Sequence, residues 1–206
     1  KYVITIDTDT VLPRGSARRL IATLAHPLNK AVFDPESGEI VAGYSLLQPR
    51  VEIKPTSTNQ SLFTQVFAGD VALDLYTCAV SDVYQDLFGE GNYTGKGIYD
   101  VSAFERSLAG RVPENVLLSH DLFEGLHGRV GLVSDVVVLE DYPPHYLSNA
   151  HRWHRWIRGD WQLLPWLLPR VPGADGEKKP SRFSTLDCWK IIDNMRRSLT
   201  IPAFLA

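Results

Sequence analysis

Almost everything that could staple a small fold covalently or through a structural metal is scarce in this chain. Its two cysteines, Cys78 and Cys188, lie far apart and lack the paired spacing of a zinc site. Neither a disulfide framework nor structural zinc is expected, and a reducing compartment fits. Positive charge is not in excess either: 24 acidic against 21 basic residues leave a formal charge of -3, so any anion binding must come from a local cluster. A complete membrane-spanning run, a signal peptide and an initiator Met are all missing, and both ends read as cut. The apolar stretch 199–206 is far shorter than the ~20 residues a span needs. Arg196 and Arg197 precede it as a cytoplasmic flank would, although a plain amphipathic C-terminal helix accounts for the same residues. What is present, 44% hydrophobic and 22% charged residues over 206 positions, excludes a disordered chain. It predicts one globular domain, or one domain plus an appendage.

Residues 2–6 are β-branched and read as a buried strand running into Asp7-Thr8-Asp9-Thr10. Pro13 opens a helix predicted to reach about His26, which makes a strand–turn–helix unit of the α/β kind. The turn at 34–38 joins two predicted strands, 30–33 and 39–47, and the polar residues 54–61 form a loop. Residues 62–88 read as helical, and glycines crowd the segment 89–97. Short helices follow near 102–109 and 120–127, then a strand over 131–140. Pro143-Pro144 starts a long helix to about 164. Residues 171–183 read as a mobile linker, and Ser184 with Asp187 as the capping box of a last helix, 185–199.

Three constellations carry chemistry. Asp7-x-Asp9 at a strand end suits a divalent ion that also takes phosphate oxygens, since two such carboxylates repel without a cation. A turn with a helix cap explains the same residues structurally. In Leu118-Ser119-His120-Asp121-Leu122-Phe123-Glu124, Ser119 is expected to cap a helix, or Asp121 to act as a general base. In Arg152-Trp153-His154-Arg155-Trp156-Ile157-Arg158, the arginines recur every third position and are expected near one another. Guanidinium forks suit a diphosphate, and indole faces suit a sugar or the core. Such a stripe can also bind single-stranded nucleic acid, but a lone short segment in an acidic chain weakens that alternative. The glycine segment is no P-loop, because Glu90 and Gly97 break the pattern; Lys96 there could meet a phosphate or a sugar hydroxyl.

Asp7-x-Asp9, Asp121 and Arg152-x-x-Arg155-Trp156, in that order, resemble the D-x-D, catalytic Asp and Q/R-x-x-R-W motifs of cellulose-synthase-like processive glycosyltransferases. The runs FGEGNYTGKGIYDV, RVPENVLLSHDLFEG, GLVSDVVVLEDYP, HRWHRWIRGDWQ and WKIIDNMRRSL are more closely similar to the glycosyltransferase domain of cyclic β-1,2-glucan synthases. The Ser-His-Asp run is also similar to the enzymes of linear osmoregulated glucans. The resemblance implies an α/β, GT-A-type core over residues 1–165, with an N-terminal nucleotide-binding half lying before residue 1. Residues 166–206 would be a linker and an interfacial helix leading to a membrane span. It implies inverting, processive transfer from UDP-glucose to a β-1,2-glucan acceptor on the cytoplasmic side of a bacterial inner membrane, with no nucleic-acid partner. Asp7 and Asp9 would hold Mg²⁺ or Mn²⁺ and, with Arg152 and Arg155, the UDP diphosphate. Asp121 would be the base, with His120 and Trp156 at the acceptor.

The same resemblance carries one expectation about the isolated chain. It should bind UDP-glucose poorly and make almost no glucan, which a radiolabelled UDP-glucose assay on the 206 residues checks directly.

Overall fold

The computed structural model describes residues 1–68 and 82–206. Its centre is a four-stranded sheet made of β1 (Tyr2–Thr5), β4 (Leu46–Ile53), β5 (Gly97–Asp100) and β6 (Val130–Glu140), ordered β1-β5-β4-β6. β5 runs antiparallel to β1 and β4, whereas β4 and β6 are parallel. Strands β1, β4 and β6 therefore point the same way, and their carboxyl ends open at one edge. Two small hairpins, β2 (Val32–Phe33) with β3 (Ile40–Ala42) and β7 (Arg170–Pro172) with β8 (Lys178–Pro180), lie outside this sheet.

Side-chain alternation along β4 assigns the two faces. Leu47 is buried with Leu20 and Leu24 of α1 (Ser16–Ala25), Ile98 and Val133. Its neighbour Leu46 points the other way, to Tyr93 and Val130, with Tyr99 and Phe104 of α4 (Val101–Leu108) against them. A third cluster joins α5 (Asp121–Gly128) to the C-terminal part: Leu122 and Phe123 pack on Leu163, Trp166 and Ile191 of α7 (Thr185–Leu205). Between them run α2 (Leu62–Phe67), α3 (Val83–Phe88) and α6 (Tyr146–Gln162), the last continued by a 3-10 turn over Leu164–Leu167. Among the described residues no helix is long and apolar enough to cross a membrane.

Several elements depart from the sequence expectations for physical reasons. β1 is half-buried at one end of the sheet, not fully buried. The run 39–47 breaks because Tyr44 N–H turns to the Asn29 carbonyl and Ser45 N–H to that of Gly128. A separate strand, β4, then begins and tolerates Pro49 at an irregularity where three residues of β6 bulge out of register. Residues 171–183 are not a mobile linker, since β7 and β8 pair and Val171 and Phe183 pack on the Phe123–Trp166 cluster. Helices occupy both ends of 62–88, while residues 69–81, with Cys78, lie outside the described residues. The Ser184–Asp187 capping box forms as expected, with both reciprocal hydrogen bonds, and α7 runs on to Leu205.

Leu47 is 2% exposed between α1 and β6. Leu47→Ala is expected to cost about 2–5 kcal/mol through lost burial and the cavity left behind. Urea unfolding checks it, with a lower midpoint at an unchanged slope.

Candidate active site

Beyond the carboxyl ends of β1, β4 and β6 lies a cleft of about 1160 Å³, the place where open α/β sheets bind ligands. Asp7, Asp9, Lys96, Asp121, Glu140, Arg152, Arg155 and Trp156 line it, together with residues of α7. The three motifs that are far apart in sequence are thus brought to one opening.

The first wall is built around the turn after β1. Thr10 N–H closes the turn on the Asp7 carbonyl at 3.1 Å, and backbone hydrogen bonds of 2.7 and 3.0 Å tie Val11 to Leu139 of β6. Lys54 Nζ donates to the Asp9 carbonyl and to the Asp141 carboxylate, both at 2.8 Å. The decisive group is Lys96, buried just before β5. Its Nζ lies 3.1 Å from Asp7 Oδ2 and 2.7 Å from Glu140 Oε1, and Glu140 also accepts from Thr10 at 3.3 Å. The Asp7 side chain remains 59% exposed, and no hydrogen bond or ion pair engages the Asp9 carboxylate among the described residues. Lys96 itself is held by the loop preceding it: buried Gln48 accepts from Thr94 N–H at 2.8 Å, and the Tyr93 hydroxyl meets Thr5 Oγ1 at 2.8 Å. The glycine-rich segment is therefore firmly anchored, with Glu90 also paired to buried Lys190 of α7 at 2.9 Å.

Asp121 is the first residue of α5, and the segment 119–121 leading into the helix is pressed from two sides. A Cβ on Gly95, which has a φ of +87°, would sit 3.0 Å from both Asp121 carboxylate oxygens. A Cβ on Gly159 of α6 would sit 2.5 Å from Ser119 Cβ, so only glycine permits the helix to approach this closely. Gln162 Oε1 accepts from Leu118 N–H at 2.8 Å and holds the same segment. Ser119 does not cap α5: the N-cap position is His120 and no side chain closes it. His120 Nδ1 instead meets Glu124 Oε1 at 2.9 Å, which raises the imidazole above its ordinary value. Burial pushes the Asp121 carboxyl up; His120 and Lys96 pull it down, and Glu124 and Asp7 push it up further.

The opposite wall is α6. Arg152 has its guanidinium over the rings of Tyr142 and Trp156, at 5.1 and 5.0 Å, and donates to Asn149 Oδ1 at 3.3 Å. Its Nε is buried without a hydrogen-bond partner among the described residues. Burial holds this guanidinium below its usual range, and Tyr142 and Asp9 act against that. Arg155 is exposed at the cleft, but Arg158 is not on its wall, because six residues carry it well around the helix. Arg197 faces inward: it grips buried Asp160 through two hydrogen bonds, of 2.9 and 3.0 Å, and lies 5.9 Å over the Trp156 ring. Glu140, Asn194 and Arg197 escaped sequence reasoning; a charge ending the apolar run 136–140 was the one available signal.

No protein-family model matches the chain. Over 207 aligned residues it is 46% identical to the cyclic beta-(1,2)-glucan synthase NdvB of Rhizobium meliloti (strain 1021). That alignment takes in 100% of this chain and 7% of the synthase. The chain is thus similar throughout its length to one segment of a cyclic β-1,2-glucan synthase, as its motifs anticipate, and it spans a small part of that relative.

Because burial raises the Asp121 carboxyl, the folded chain holds that proton more tightly than the unfolded chain does. The penalty is nil below the unfolded value of ~3.9, grows as pH rises through the higher folded value, and is complete above it. Asp121→Asn is expected to raise the thermal unfolding midpoint at pH 7, with the gain fading below pH ~4. An unchanged midpoint at pH 7 would show that the fold does not distinguish the two forms, and a lower one that it favours the ionised acid.

Proposed function

We propose that this chain is part of the catalytic core of an inverting glucosyltransferase with a GT-A-type fold. It would transfer glucose from UDP-glucose to a growing β-1,2-glucan chain, processively and at the cytoplasmic face of a bacterial inner membrane. In this reading residues 1–165 form the catalytic core and 166–206 lead toward the membrane. The observation that carries it is the meeting of Asp7, Asp9, Asp121, Arg152, Arg155 and Trp156 around one cleft. The similarity to the Rhizobium meliloti synthase supports the product class.

The donor set fits a hard divalent ion. Among the described residues nothing engages the Asp9 carboxylate, Asp7 keeps one oxygen clear of Lys96, and both are open to solvent. Mg²⁺ and Mn²⁺ sites of this kind use one or two carboxylates and complete their shell with substrate phosphates. Asp7 and Asp9 would hold the ion, whose charge would offset that developing on the leaving diphosphate. Arg152, desolvated between two rings, and Arg155 supply guanidinium donors to the same diphosphate. Trp156 offers an indole face to the acceptor sugar, and His120, whose imidazole Glu124 raises above its ordinary value, a hydrogen-bond donor.

Asp121, with its carboxyl raised toward working pH, takes the proton of the acceptor hydroxyl. The hydroxyl oxygen forms its bond to the anomeric carbon as the bond to the diphosphate oxygen breaks. UDP leaves with the electron pair, and an α-linked donor becomes a β-linkage.

The test uses the full protein in membranes with radiolabelled UDP-glucose and linkage analysis of the polymer. Asp121→Asn should lower incorporation by about 10²–10⁴-fold with UDP binding retained. Asp7→Asn should abolish the Mn²⁺ dependence of UDP binding. Undiminished synthesis by the Asp121 variant would sink the reading.

A further inference from the structure

A second cavity, of about 440 Å³, shares no lining residue with the cleft. Its size is within the ~300–1,000 Å³ of small-molecule pockets. Residues 109–111, the carboxyl end of α5, Trp166 and the β7–β8 hairpin with residues 181–183 enclose it. Trp166, Val171 and Phe183 give it an apolar wall, and Arg111, His127 and Arg182 a polar one.

The polar wall consists of hydrogen-bond donors. No carboxylate of the described residues forms an ion pair with either guanidinium. Arg111 Nη1 donates to His127 Nδ1 at 3.1 Å, and Arg182 Nη1 donates to the Ser37 carbonyl. Burial and the charge of Arg182 hold Arg111 below its usual range, with the Glu39 carboxylate acting the other way. Lys179, at the rim, is paired with Asp175 at 3.1 Å and leaves that imbalance untouched.

His127 holds one of these guanidiniums in place. A guanidinium can only donate, so Nδ1 must accept. Burial and the two arginines push the ring down to about 3, so it is neutral and carries its hydrogen on Nε2. That N–H is buried and has no acceptor among the described residues. The ring is fixed between Phe123 and Phe183, with centroids 4.7 and 4.9 Å away. Arg111, half-buried and ion-paired with no carboxylate of the described residues, carries a standing cost that an oxyanion held between it and Arg182 would lower.

From this we infer that the cavity is a binding site for a phosphate-bearing small molecule, its oxyanion on Arg111 and Arg182 and its body against Trp166 and Phe183. Two guanidinium forks match a tetrahedral oxyanion. The apolar wall favours a phosphate monoester with a compact ring over phosphate alone.

The test is an NMR titration of the chain that follows the His127 imidazole nitrogens, with inorganic phosphate and phenyl phosphate as probes. Both should shift the His127 signals saturably, phenyl phosphate at lower concentration. Arg111→Gln and Arg182→Gln should each weaken binding on the order of tenfold to a hundredfold. Near-UV circular dichroism confirms that each variant is folded, and exposed Arg182 is the safer of the two positions. Mn²⁺-dependent UDP binding is measured in parallel on the full protein in membranes, so that failure at the cleft is distinguishable from failure here. Absence of a saturable His127 shift with either probe, a shift that survives both substitutions, or competition between phenyl phosphate and UDP would overturn the assignment.

Discussion

Lys96 is the group on which the cleft depends. Glu140 ends β6 at 5% exposure, and an ionised carboxylate cannot stay there without a partner. Lys96 supplies the partner and, with the same ammonium, reaches Asp7 at the end of β1. One buried cation therefore fixes the ends of two strands that are not neighbours in the sheet. It neutralises a single negative charge, so the floor around Asp7, Asp9 and Glu140 stays acidic. Arg152 and Arg155 make the facing wall basic, while Arg196 and Arg197 there are paired with Asp193 and Asp160. A cleft polarised in this way suits a ligand that presents both a cation and a polyanion.

Close packing then brings the remaining acid into place. Asp121 belongs to neither the sheet nor α6, and its position is set by how nearly each can approach. Gly95 lets the loop before β5 lie against its carboxylate, and Gly159 lets α6 lie against Ser119. Both glycines serve through the side chain they lack. Trp153 and Trp156, with ring centroids 6.3 Å apart, occupy the same stretch of α6 as Arg152 and give that wall a large aromatic surface.

The C-terminal helix is part of this arrangement. Lys190 reaches Glu90 in the glycine-rich segment, and Arg197 reaches Asp160 on α6. Both pairs include a group that is almost wholly buried, where geometry and partner are tightly specified. The helix thereby spans the loop carrying Lys96 and the helix carrying Arg152, and it completes the cleft with Asn194 and Arg197.

The strands 2–5 and 130–140, the helices at 16–25, 101–108, 121–128 and 146–162, and the capping box at Ser184 were legible because local periodicity and end signals declare them. The strand at 46–53 was not, since Pro49 reads as a break until a bulged partner absorbs it. The hairpin at 170–180 was masked by its own turn residues, and pairing plus burial of Val171 decide it. For the site, residue type together with the resemblance in motif order pointed to Asp7, Asp9, Asp121, Arg152, Arg155 and Trp156, and all six line one cleft. Their chemistry is intrinsic to the side chains, and helical spacing puts the last three on one face. The partners Glu140, Arg197 and Gln48 and the double role of Lys96 came only from the tertiary structure. Each depends on contacts between segments that are dozens of residues apart, and no local pattern encodes a distance between them.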